Sequence, residues 1–160
     1  MSVDSIPVAH TPPGSWSGTF PDPVLSGCTD PTVDGAPDMR GMWQVAEVLV
    51  DDESVPGHPV IGSLQRIEQA GDRVTITAGG IIHDMRCDGT EANGVNDVAE
   101  FDKQTPITVV ATFEDGVHVL RPVGLPIEVR RWLDSDDLMW QDLGFTCRLV
   151  RLGSTEMQPS

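Results

Sequence analysis

The chain has 160 residues, 39% of them hydrophobic, a formal net charge of −15 at pH 7 and no tyrosine. That length allows one domain with a core of its own. The charge argues against nucleic-acid phosphates and anionic membrane surfaces as partners, because no basic patch exists to displace counterions, so the acidity is read as solubility.

The ten cationic residues are nine Arg and the single Lys103. Arg keeps its charge when buried and offers a planar fork of donors, which suits anion recognition. Cys28, Cys87 and Cys147 are an odd, widely spaced set. They fit reduced thiols in a cytoplasm better than a disulfide framework. There is no twenty-residue apolar run, and the first residues lack the basic start and apolar core of a signal peptide. A cytoplasmic protein, bacterial in type, is expected.

Residues 1–38 hold seven of the thirteen prolines, five Asp and no Lys or Arg. Such a stretch cannot form a helix and makes a poor strand. It is expected as an extended arm, either disordered or laid over the domain, and Trp16, Phe20, Val24 and Leu25 favour partial docking. Residues 39–153 are expected to form the domain, and 154–160 a disordered tail.

From Arg40 onward the pattern is β. Helical periodicity is nowhere sustained, and turns recur at the spacing of an all-β domain. The strands expected are 42–50, 63–69, 73–78, 81–87, 95–101, 107–113, 117–121, 126–133, 138–142 and 145–152. Short polar turns at Gly71-Asp72, Asp115-Gly116 and Ser135-Asp136 suit hairpins. Residues 51–62, with Pro56, Gly57 and Pro59, read as a loop that borders the mouth. Gly79-Gly80 reads as a bulge or strand kink. An up-and-down order with tight hairpins closes most simply as a single antiparallel β-barrel of about 8–10 strands.

The last strands carry the most chemistry. Strand alternation places Arg131, Trp140 and Arg148 on one interior face. Inward arginines are unfavourable in a barrel unless something anionic meets them. The competing readings are a structural ion pair with Asp142 or Glu128, an inward Arg130 in place of Arg131, or a one-residue slip that turns the arginines outward.

Several motifs, in order, resemble the calycin superfamily, and most of all its intracellular fatty-acid-binding proteins and lipocalins. Gly41-Met42-Trp43 is similar to the Gly-x-Trp that opens the first strand. Glu68-Gln69-Ala70-Gly71-Asp72 with Thr75-Ile76 resembles the second hairpin. Glu114-Asp115-Gly116 resembles a later hairpin, and Thr146-Cys147-Arg148 the start of the closing strand. The resemblance implies that Arg131 and Arg148 jointly hold a ligand carboxylate and that Trp43 plugs the barrel bottom. The family's third carboxylate partner, a tyrosine, falls on Val150. The family's helical lid has no counterpart in the stretch between the first two strands.

His118 shares interior parity with Leu120 and is either a donor to ligand, a general acid–base group, or a satisfied core histidine. Trp140 is a candidate aromatic wall. Trp132 should point outward, where with Trp16 it would lie under the arm or in a homodimer contact. His83, Met85 and Cys87 share a strand face, but one such run lacks the paired spacing of a metal site. A haem, as in the related nitrobindin barrels, would need a proximal His, for which nothing singles out His118 or His83. No cofactor, metal or recognisable catalytic motif is expected. The expected ligand site is therefore Arg148, Arg131, His118, Trp140, Leu120 and Val150, holding a small hydrophobic or aromatic anion. The alternatives are a barrel enzyme of cyclase or isomerase type in a bacterial biosynthetic pathway, and a ligand-free interaction module with a filled core.

Overall fold

The computed structural model describes residues 2–100 and 102–153. The expected tail at 154–160 lies outside the described residues. A short 3-10 helix, Val3–Ser5, begins the arm. Eleven strands follow: β1 (Gly41–Val50), β2 (Glu53–Ser54), β3 (Leu64–Ala70), β4 (Arg73–Ala78), β5 (Ile81–Arg86), β6 (Val95–Val98), β7 (Pro106–Glu114), β8 (Val117–Pro122), β9 (Val129–Asp134), β10 (Asp137–Asp142) and β11 (Phe145–Gly153). No helix is long and apolar enough to cross a membrane.

All the ladders are antiparallel, in the order β5-β4-β3-β1-β11-β10-β9-β8-β7-β6, with β2 folded back on the end of β1. This is a nearly closed up-and-down barrel. Each hairpin has the turn chemistry it needs. Gly79 and Gly80 have φ of 53° and 88° and form the two-residue turn between β4 and β5, where a bulge or kink was expected. Two consecutive positive-φ residues match the twist of a tight hairpin, and a side chain on Gly80 would collide with Ser15. In the stretch expected as a loop, Asp51 and Asp52 also take positive φ, so the chain turns directly into β2.

The core follows from alternation. Val45, Ile67, Val74, Ile76, Leu138, Cys147 and Leu149 point inward and are buried. Trp43 is fully buried, its indole N–H donating to Met39 O at 2.8 Å and the Arg151 guanidinium lying 4.3 Å from its ring centre. Gln69 ties residues 37–39 across this end, accepting from Met39 N at 2.6 Å and donating to Pro37 O at 3.0 Å. One end of the barrel is thereby plugged.

The arm lies along the outer face of β3–β5. Glu68 accepts from Val24 N (3.0 Å) and Leu25 N (2.7 Å). Arg73 donates to the carbonyls of Val3, Ile6 and Pro7 while pairing with Asp84 at 2.6 Å. Trp16 donates its indole N–H to Ile81 O at 3.2 Å. The arm also covers the seam. Among the described residues β5 and β6 share no ladder, and the arm bridges them: Ala9 N donates to Asp84, Thr11 N to Asp97, and His10 pairs with His83.

Candidate functional site

One row of inward side chains crosses five strands. Phe113, His118, Arg131, Trp140 and Cys147 are successive register partners from β7 to β11, and Val48 of β1 follows Cys147. Side chains directly opposite on neighbouring antiparallel strands are in reach of one another. Accordingly, the Phe113 and His118 rings lie 5.6 Å apart, and the Arg131 guanidinium sits 5.2 Å from the Trp140 ring centre.

Above this row lies a cavity of about 200 Å³. Ile76, Ile81, Val95, Val109, Leu120 and Val129 form its apolar wall, and Trp140 one side. The polar lining is His83, Glu100, Arg131 and Asp142. Leu125 and Ile127, from the β8–β9 loop, stand at the rim, and Leu125 is 59% exposed. A second hollow of about 130 Å³, lined by Gln65, Gly79 and Lys103, shares Glu100 and Trp140 with the first. Ala99 and Glu100, after β6, and Pro122, Leu125 and Ile127, at and after the end of β8, line the cavity at the end of the barrel away from the Trp43 plug. A larger groove of about 380 Å³ runs between the arm and β5, but its Arg73 and Asp84 are already bonded to each other and to the arm.

Arg131 is the outstanding group. It is 4% exposed, and its only acceptor among the described residues is Gln65 Oε1, at 3.4 Å from Nε and 3.3 Å from Nη2. Those distances are beyond a good N–H···O bond. Among the described residues Nη1 has no partner, and neither does the indole Nε1 of Trp140 beside it. Buried donors without acceptors are rare and unfavourable, and here two lie together on residues that line one cavity.

Burial lowers the Arg131 pKa, while the Glu100 and Asp142 carboxylates oppose that shift. Glu100 moves the other way: burial raises its pKa, against the pull of Arg131. His118 is pulled down to about 3, by burial first and by the Arg131 charge second, so it is neutral at pH 7. His83 is lowered by burial and donates from Nε2 to Val98 O at 2.7 Å. Cys147 is pushed up to about 12 by burial, which makes it a poor nucleophile. The set can hold and orient an acceptor-bearing aromatic molecule. Among the described residues no group of three or more His, Cys, Asp or Glu is placed to hold a metal.

Of the residues singled out in the sequence, Arg131, Trp140 and Leu120 line the cavity. His118 is inward and fully buried, but it packs behind Arg131 rather than on the lining, and among the described residues neither ring nitrogen finds a partner. It is therefore not the satisfied core histidine of one reading, nor is it placed to meet a ligand. Arg148 and Val150 are corrections. Cys147 and Leu149 take the inward positions of β11, so alternation turns Arg148 and Val150 outward. Arg148 instead pairs with Asp134 at 2.8 Å and Asp137 at 2.9 Å on the β9–β10 turn. Arg130 is also outward, in a loose pair with Glu128 at 3.7 Å.

Sequence reasoning left Gln65, His83, Glu100, Asp142 and the rim out of the ligand site, although it named Asp142 as an ion-pair partner and His83 on a strand face. His83 carried a signal, because it shares strand parity with buried Ile81 and Met85. Glu100 carried none, since the expected strand 95–101 ends at Val98 and leaves Glu100 outside the alternation. No family model, no curated protein and no solved structure matches the chain.

Proposed function

We propose that this protein binds a small aromatic molecule with a compact anionic group, inside the barrel, with the anion on Arg131 and the ring against Trp140. The observation that carries the reading is that Arg131 and Trp140 both line the cavity, while among the described residues neither Arg131 Nη1 nor the Trp140 indole N–H has a partner. Charge-assisted bonds from a guanidinium are strong and directional, and the apolar wall excludes competing water. The volume of about 200 Å³ is below the roughly 300 Å³ at which pockets for drug-sized ligands begin, so one or two rings fit better than a long acyl chain.

This reading keeps the calycin-like relationship as a proposal about architecture and use, a barrel with an internal anion hook. It departs from the two-arginine clamp, since Arg131 acts alone. An interaction module would need a filled core, and an acid–base enzyme would need His118 on the lining. Cys28, Cys87 and Cys147 are unpaired, which supports a reducing, cytoplasmic setting.

The test is titration calorimetry with benzoate, phenylacetate and indole-3-acetate against their neutral amides. Acids should bind about tenfold or more tighter than amides, and Arg131→Met should abolish that preference while the protein stays folded. Equal binding of acids and amides, or an unchanged preference in Arg131→Met, would overturn the reading.

A further inference from the structure

The cavity holds a second unanswered group. Glu100 lines it opposite in charge to Arg131, and the two influence each other electrostatically. Yet among the described residues they form no ion pair within 4.0 Å, and no hydrogen bond holds the Glu100 carboxylate. Asp142, the other lining carboxylate, differs because it accepts from Leu143 N at 2.7 Å in its own turn. Among the described residues the site thus presents a donor edge without an acceptor and a carboxylate that no hydrogen bond holds, with Lys103 as the other cation acting on Glu100 and the Trp140 ring bordering both hollows.

A plain anion would answer Arg131 but bring a second negative charge up to the half-buried Glu100, where repulsion is stronger than in bulk water. A plain cation would answer Glu100 and face Arg131. A molecule with both charges answers each and adds no net charge to the site. We infer that the ligand is an aromatic zwitterion of the arylalkyl amino-acid class, its carboxylate on Arg131 and Trp140 Nε1 and its ammonium on Glu100. The inference rests on the function proposed above and makes Glu100 the residue that selects among aromatic acids.

The experiment compares probes that share a ring: phenylalanine, 3-phenylpropionate and phenethylamine, with tryptophan and indole-3-propionate as the larger pair. Calorimetry on the full chain should show each amino acid binding about tenfold or more tighter than its deaminated acid. Glu100→Gln should erase that advantage by weakening the amino acids while the plain acids hold or gain. Arg131→Met should weaken amino acids and acids alike and spare phenethylamine. Circular dichroism and thermal melts confirm that both variants are folded. If the plain acids bind as tightly as the amino acids, or Glu100→Gln weakens every probe equally, the zwitterion inference falls and the anion reading stands. If phenethylamine alone binds, or no probe does, both fall.

Discussion

Arg73 and Arg131 are both almost fully buried, at 3% and 4% exposure, one on the outer face of β4 and the other inside on β9. Arg73 donates to both oxygens of Asp84, at 2.9 and 2.6 Å, and to three carbonyls of the arm. Arg131 reaches one neutral amide oxygen at long range and leaves Nη1 unused. The first is a clamp whose every donor is answered by its own chain. The second keeps its strongest donor edge free. A buried charge therefore reads as structural or functional according to whether its partners are already present.

Breaking the clamp should have the largest effect. Arg73→Ala strands Asp84 without its counter-charge beneath the arm, and a loss of about 3–5 kcal/mol in urea unfolding is expected, since removing one partner of a buried pair is strongly destabilising. A loss within 1 kcal/mol would erase the contrast with Arg131.

The row behind Arg131 supplies the next effect, in pH. The His118 pKa falls to about 3 in the folded chain, against about 6.5 when unfolded. Between those values the unfolded chain holds a proton that the folded chain does not. Stability is therefore fully present above about 6.5 and falls as pH drops towards 3, with a slope approaching about 1.4 kcal/mol per pH unit. The lowered His83 adds in the same direction, while the raised Glu100 acts oppositely, its contribution declining as pH rises past its unfolded value. Urea unfolding of His118→Phe across that range should show a clearly shallower acid slope.

Arg66 sharpens the comparison because among the described residues it is buried without a hydrogen bond and lines neither of the two hollows beside Trp140. It lies 5.6 Å from the Phe20 ring centre and 3.9 Å from Glu68, under the arm. A buried cation without hydrogen bonds is unfavourable, and Glu68 keeps its two backbone donors, Val24 N and Leu25 N, when Arg66 is replaced. Both Arg66→Met and Arg131→Met should thus leave thermal stability unchanged or raised, but only Arg131→Met should lose aromatic acids in calorimetry. The smallest effect belongs to Arg148→Ala. A solvent-facing pair with Asp134 and Asp137 contributes under about 1 kcal/mol, and ligand affinity should not move.

The barrel was legible because its turns are punctuated at Gly71-Asp72, Asp115-Gly116 and Ser135-Asp136, with apolar alternation between them. Ten of the eleven strands follow that punctuation, and Glu53–Ser54 was hidden because two residues carry no period. Arg131 and Trp140 were legible by parity. Arg148 was misplaced because the alternation of the last strand was read one residue out of step, while the apolar pair Cys147 and Leu149 marked the true inward positions. β3 was unreadable by face, since the arm buries its outer residues Arg66 and Glu68 as deeply as Gln65 and Ile67 within. Glu100 and Leu125 stand on loops, where no period exists to place a side chain.

The pairing of β1 with β11 has a consequence for how the chain is made. Met42 to Leu49 find their partners only between residues 146 and 153, about a hundred positions downstream. Until the ribosome delivers that last segment, the first strand of the barrel presents an open ladder edge. Closing so distant a pair is slow relative to local hairpins, and an unpaired apolar edge invites other chains. A nascent or truncated product ending before Phe145 is therefore expected to aggregate, and ribosome-release assays with chains stopped at 144 and at 153 would show the difference as a switch from insoluble to compact product.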